Sequence, residues 1–144
     1  MNCTSPIFNE GETIPSKYTC DGLNIPPTLI FSDVPKNAKS LALIFEDLDA
    51  AIGIFTHWIV WNIPPTVKKI ADGEKITYPQ GKNSAMKNSY VGPCPPSGKH
   101  RYFFKIFALD TMLDLKSGAD KKSLEKMMQG HIIDQAQLMG LYSR

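Results

Sequence analysis

The chain has 144 residues, 42% hydrophobic and 21% charged, the size and balance of one globular unit that can build its own core. Sixteen lysines and arginines against fourteen aspartates and glutamates leave a net charge of +2, too little for a dedicated nucleic-acid binder or a polybasic membrane binder. Ten glycines and eleven prolines leave little room for long helices and favour short strands joined by defined turns.

At the N-terminus, residues 1–10 carry neither the basic region nor the apolar stretch of a signal peptide. The longest apolar-rich segment, 52–65, is too short to span a bilayer and is interrupted by Thr56, His57 and Asn62, so stable membrane insertion is not expected. Cys3, Cys20 and Cys94 are odd in number and lack a C-x-x-C spacing. They read as free thiols of a reduced, cytoplasmic protein, with one disulfide as the alternative.

Asp21-Gly22 and Pro26-Pro27 bracket a turn region ahead of residues 28–31. Residues 40–46 form an apolar run of strand length, closed by Asp47-Leu48-Asp49. Phe55–Ile63 is rich in aromatic and β-branched residues and stops at Pro64-Pro65. The clearest strand is 101–109, where Tyr102, Phe104, Ile106 and Ala108 make one apolar face opposite Arg101 and Lys105. Helical spacing is confined to the C-terminal quarter. Leu124, Met127 and Met128 predict a helix over 120–129; Ile132, Ala136 and Met139 predict a second, ended by Gly140. Strands followed by short helices, without βα alternation, predict a mainly β antiparallel sandwich formed by one domain over residues 1–144.

Parity along these strands singles out a few polar groups. His57 shares the odd positions of its strand with Phe55, Ile59, Trp61 and Ile63; His100 precedes the apolar face that starts at Tyr102; Asp47 continues the phase of Leu41, Leu43 and Phe45. Two readings follow. The histidines and aspartates could converge on one pocket, where His⁺ and a tyrosine hydroxyl hold an anion by charge-assisted hydrogen bonds. Alternatively, His57 and His100 are separate core histidines, each bonded to a backbone carbonyl, and the aspartates cap turns. Phase along a strand does not decide between them. Residues 90–98, with three prolines and two glycines, form either a ligand-approaching loop or an ordinary rigid turn.

No G-x-S-x-G elbow, P-loop or G-x-G-x-x-G is present, and the three histidines lack paired metal-ligand spacing. Asp47-x-Asp49 after an apolar strand also resembles the start of a haloacid-dehalogenase-type phosphatase. That family expects small residues with a Thr and then a helix, whereas Ala50-Ala51-Ile52-Gly53 and another strand follow here.

Four blocks in order resemble the phosphatidylethanolamine-binding protein family, in its bacterial and archaeal Raf-kinase-inhibitor-like branch. They are Cys20-Asp21-Gly22-x-Asn24 with Pro27 and Leu29; Asp47-x-Asp49-Ala50 with His57-Trp58 and Asn62-Ile63-Pro64; Tyr90-Val91-Gly92-Pro93-Cys94-Pro95-Pro96-x-Gly98-x-His100-x-Tyr102; and Ala108-Leu109-Asp110. The ending, Gly130-His131-Ile132 through Leu138, Gly140, Tyr142 and Arg144, also fits. The resemblance implies a two-sheet antiparallel β-sandwich with a small anion pocket at one end. By motif position Asp47, Asp49, Phe55, His57, Tyr90, Gly92, Pro96, His100 and Tyr102 would line it. Leu48 and Ala51 stand where the family has prolines, which removes two φ constraints from the aspartate loop.

The expected function is therefore non-enzymatic binding of phosphate or a phosphoethanolamine-type ligand, with no cofactor, no metal and no nucleic acid. The resemblance also implies regulation of a partner protein such as a kinase or protease, and a homodimer. Hydrolysis ranks third, because no nucleophile–base–orienter set is evident.

Overall fold

A computed structural model describes residues 1–144. Its strands are β1 (Asn2–Thr4), β2 (Leu29–Ser32), β3 (Ser40–Asp47), β4 (Phe55–Ile63), β5 (Lys69–Ile70), β6 (Lys99–Leu109) and β7 (Ile132–Ser143), with one helix, α1 (Lys121–Met128), between the last two. They make two antiparallel sheets, β1-β2-β5 and β4-β3-β6-β7.

The alternation in β6 sets the packing. Tyr102, Phe104, Ile106 and Ala108 enter the layer between the sheets with Leu41, Leu43 and Phe45 of β3, against Cys3, Leu29, Phe31 and Ile70 of the smaller sheet. Each fully buried large side chain in this layer contributes roughly 1.5–3 kcal/mol. On the reverse side of the larger sheet, Ala42, Ile44, Ile59 and Trp61 pack under Leu113, Leu124 and Met128. Strand β3 is central and covered on both faces, which is why all eight of its residues are buried.

Helix α1 forms where the spacing predicts it. The Asp120 side chain caps it by accepting from the Ser123 N–H at 2.9 Å. The helix is pinned to the sheet through Glu46, 2% exposed, whose carboxylate accepts from Lys105 of β6 at 2.6 Å and from Lys121 at 2.5 Å.

The second predicted helix is instead the twelve-residue strand β7. Its true period is two: Ala136, Leu138, Gly140 and Tyr142 lie opposite Ile106, Phe104, Tyr102 and His100. Half-buried Met139 and Leu141 on the other face make the run look helical. Gly140 is no terminator; a Cβ there would lie 2.5 Å from Ile14 Cγ1 and 2.8 Å from the Phe8 ring.

Two register irregularities shape β4. Asn62, at φ 54°, supplies one extra residue between Val60 and Ile63, and its side chain fixes the Leu113 backbone at both donor and acceptor. The other falls at His57, between the pairs Phe45–Trp58 and Glu46–Thr56. It corrects the odd-position face: Ile59 and Trp61 point to the helix side, whereas Trp58 and Val60 join the layer between the sheets, and His57 turns toward Phe45.

Both edges of the larger sheet are partly covered by other segments. Residues 11–14 run along β7, exchanging Gly11 N–H to Met139 O at 2.8 Å and Ile14 N–H to Leu141 O at 2.7 Å. Residues 79–81 and 91 do the same along β4. The expectation of three free thiols also fails, because Cys20 and Cys94 form a disulfide and only buried Cys3 is free. With it goes the argument from free thiols to a reducing compartment. No helix is long and apolar enough to cross a membrane.

Candidate functional site

The ends of β3, β4 and β6 meet at one end of the sandwich beside the 90–98 loop. They enclose a cavity of about 250 Å³ whose lining includes Asp47, Phe55, His57, Gly92, Pro96, His100 and Tyr102. Behind His57 and Tyr102 lies Phe45, stacked on Phe104 at 3.8 Å between centroids and on Tyr90 at 5.6 Å. The Tyr102 ring lies 5.5 Å from His57 and 6.4 Å from His100.

Each imidazole is oriented by a bond at Nδ1. The His57 Nδ1–H donates to the Val91 carbonyl at 2.7 Å, which leaves Nε2 as an acceptor without a partner in the fold. Burial lowers the His57 pKa below the ordinary imidazole value, only partly offset by the Val91 bond and the Asp47 charge, so the ring is neutral at pH 7. The His100 Nδ1–H donates to Asp47 Oδ2 at 2.7 Å, and its Nε2 is likewise without a partner. The other Asp47 oxygen accepts from the Asp49 N–H at 2.7 Å, closing a tight turn. Tyr102 completes the set with a fully buried hydroxyl that has no hydrogen-bond partner. Burial, then the Asp47 charge, raises its pKa and keeps the phenol neutral.

Two of the expected lining residues sit behind the wall. Asp49 turns outward, accepting from the Arg101 N–H, Nε and Nη2, each at 2.9 Å. The Arg101 side-chain bond is the chief reason its pKa falls to about 2. This pair ties the loop of Leu48 and Ala51 to the start of β6. Tyr90 is half-buried behind Phe45 and donates its hydroxyl to the Tyr18 carbonyl at 2.7 Å. Gly92 is glycine for packing rather than for ligand approach: a Cβ would lie 2.4 Å from the Tyr18 carbonyl oxygen, and its N–H already donates to Asn24 Oδ1 at 2.8 Å. The loop's peptide bonds are all trans.

Sequence reasoning did not single out Ala50, Ala51, Val91, Cys94 and Pro95 as lining residues. Small or apolar, they carry no chemical signal; Cys94 alone was visible, as a cysteine within a loop of prolines. No three His, Cys, Asp or Glu side chains gather as a metal cradle.

An antiparallel sandwich with a small pocket holding two histidines at one end departs from the parallel α/β sheet of a dehalogenase-type phosphatase. A family model described as phosphatidylethanolamine-binding protein matches residues 4–143. The chain is 47% identical to a UPF0098 protein of Methanothermobacter thermautotrophicus, covering 100% of this chain and 99% of the relative. A UPF0098 protein of Chlamydia trachomatis is equally similar, at 47% with the same coverage. The crystal structure of CT736, a phosphatidylethanolamine-binding protein homologue from Chlamydia trachomatis, superposes with a TM-score of 0.97 at 47% identity over 99% of this chain and 97% of that one. YbcL of Escherichia coli superposes with a TM-score of 0.91 at 29% identity, over 99% and 98%. This chain belongs to the phosphatidylethanolamine-binding protein family.

Proposed function

We propose that the chain is a non-enzymatic binding protein whose pocket takes a small phosphorylated or otherwise anionic ligand of the phosphate or phosphoethanolamine type. The observation that carries this reading is the trio of unpartnered polar atoms, His57 Nε2, His100 Nε2 and the Tyr102 hydroxyl, gathered around one cavity. Their roles are complementary. The Tyr102 O–H donates to an oxyanion, the neutral His57 Nε2 accepts from a protonated phosphate oxygen, and His100, aimed by its Asp47 bond, turns Nε2 to a further ligand atom. Asp47, Phe55, His57, Gly92, Pro96, His100 and Tyr102 form the wall; Asp49 and Tyr90 hold that wall in place. No side chain in the lining is poised as a nucleophile beside a base, which supports binding over turnover.

Titration with phosphoethanolamine, followed by imidazole NMR signals, tests it. His57 and His100 signals shift in the wild type, and the His57 signal stays still in His100→Ala; imidazoles indifferent to millimolar ligand would sink the reading. A second reading, regulation of a kinase or protease, is favoured by exposed Ile52 (97%) and Ile54 (56%) on the loop that contributes Ala50, Ala51 and Phe55 to the pocket. A regulator acting through that loop leaves its target equally inhibited when His100 is alanine.

A further inference from the structure

The Cys20–Cys94 disulfide stands apart from the other groups at the pocket in being both a wall component and open to reagents. Both cysteines are exposed. Cys94, with Pro95 and Pro96, lines the cavity. The backbone of residues 94–97 makes no backbone hydrogen bond. In backbone hydrogen bonds the stretch is held only at its two ends, and of its side chains only that of Pro95 is buried. On one side the Cys20 N–H donates to the Pro93 carbonyl at 3.1 Å; on the other, Gly98 and Arg144 exchange bonds at 2.9 and 3.2 Å. Between these anchors the disulfide is the one covalent tie to the rest of the fold. Arg144 lies over it, Nη1 donating to Cys94 Sγ at 3.3 Å, while its Nη2 is 3.4 Å from Asp21.

We infer that the Cys20–Cys94 disulfide is a redox switch on the pocket wall, opened by a dithiol reductant, and that its reduction releases residues 94–97 and weakens anion binding. The inference rests on the anion-pocket reading for its effect on binding. The chemistry is thiol–disulfide exchange. A reductant thiolate attacks Cys20 Sγ, the bond to Cys94 Sγ breaks, and Cys94 leaves as a thiolate facing the Arg144 guanidinium. The reductant's second thiolate then attacks the mixed disulfide at its own sulfur, freeing Cys20 and closing the reductant's disulfide. Two electrons pass to the protein, with two protons taken up when both thiols are neutral. A cation beside the leaving sulfur stabilises the thiolate and speeds departure, and exposed disulfides are the labile, regulatory kind. Freed residues must be ordered again when a ligand binds, which lowers affinity without removing any contact group.

The test uses oxidised full-length protein, its disulfide verified by resistance to alkylation, with inorganic phosphate as probe. Dithiothreitol without denaturant is expected to reduce the bond and lower backbone ¹⁵N order parameters at Cys94 and Ser97. Phosphate affinity should fall about tenfold and return on reoxidation. Cys20→Ser and Cys94→Ser should each behave as the reduced form with or without reductant. A disulfide that survives dithiothreitol in the folded protein, unchanged order parameters, or equal phosphate affinity in both states overturns the inference. If the oxidised protein takes no phosphate at all, the anion-pocket reading falls instead. The order parameters then decide the switch alone: a drop on reduction upholds it as a gate on 94–97, and no change ends it.

Discussion

The His57 imidazole uses its Nδ1–H on the Val91 carbonyl and keeps Nε2 for the pocket; Asp47 holds His100 with one oxygen and closes a turn with the other. The two readings that strand parity left open, core-satisfied polar residues or a shared pocket, therefore describe the same atoms. Being bonded on one side is what aims the other. Tyr102 is the exception, since nothing in the fold occupies its hydroxyl. Removing a buried hydroxyl that has no partner relieves desolvation, so Tyr102→Phe should melt at the same temperature as the wild type or slightly higher, while phosphate affinity drops about tenfold. Calorimetric binding beside thermal unfolding separates the two quantities, and a parallel loss of both would mean that Tyr102 is only structural. Asp47 and His100 were legible in sequence because a polar residue in phase with an apolar face is conspicuous; His57 was noticed for the same reason, yet the face it was matched to, Ile59 and Trp61, lies on the other side of the sheet. The outward turn of Asp49 was not, because its partner Arg101 is remote in sequence and becomes adjacent only when β3 and β6 pair.

Among the elements, legibility tracked how cleanly one period dominated. Strand β6 keeps Tyr102, Phe104, Ile106 and Ala108 buried in unbroken alternation with less buried neighbours, and helix α1 has both spacing and cap, so both were readable. Strand β7 carries apolar residues on its outer face as well, which disguised a period of two as one near 3.6. In β4 the two irregularities split the expected odd-position face, placing Ile59 and Trp61 on the helix side and Ile63 in the layer between the sheets, which no spacing rule reveals. The junction of α1 with the sheet depends on a buried charge. Burial alone would raise the Glu46 pKa, and the Lys105 and Lys121 hydrogen bonds outweigh it to give a net lowering. Glu46→Gln leaves both ammonium groups uncompensated. It should cost about 2–3 kcal/mol in urea unfolding, less than the roughly 3–5 kcal/mol of fully buried pairs because both lysines reach solvent. A loss concentrated in α1 amides by hydrogen exchange would locate the effect there.

At the scale of the molecule, three shifted groups act in the same direction with pH. His57, Glu46 and Asp49 all have folded pKa values below their ordinary ones of 6.5, 4.5 and 3.8, with Asp49 at about 2. In each case the unfolded chain binds a proton before the fold does, so stability rises with pH across that interval. Melting temperature measured from neutral pH down to about pH 3 should first fall below 6.5 as His57 engages, then more steeply below 4.5. His57→Phe should flatten the first decline and leave the second; an unchanged upper limb would show that another group governs it. The unequal cover of the two edges of the larger sheet reaches beyond stability. Residues 79–81, Ser84 and Val91 occupy β4 from Thr56 to Trp61, whereas residues 11–14 bond to β7 only at Met139 and Leu141 and leave the outer ladder of its first half without backbone partners. A continuous sheet running from one copy of the larger sheet into the next could therefore form only through that half of β7; at the β4 edge a contact would have to be made by side-chain surfaces, whose partners could evolve or be redesigned without touching the hydrogen-bonded frame that holds the pocket.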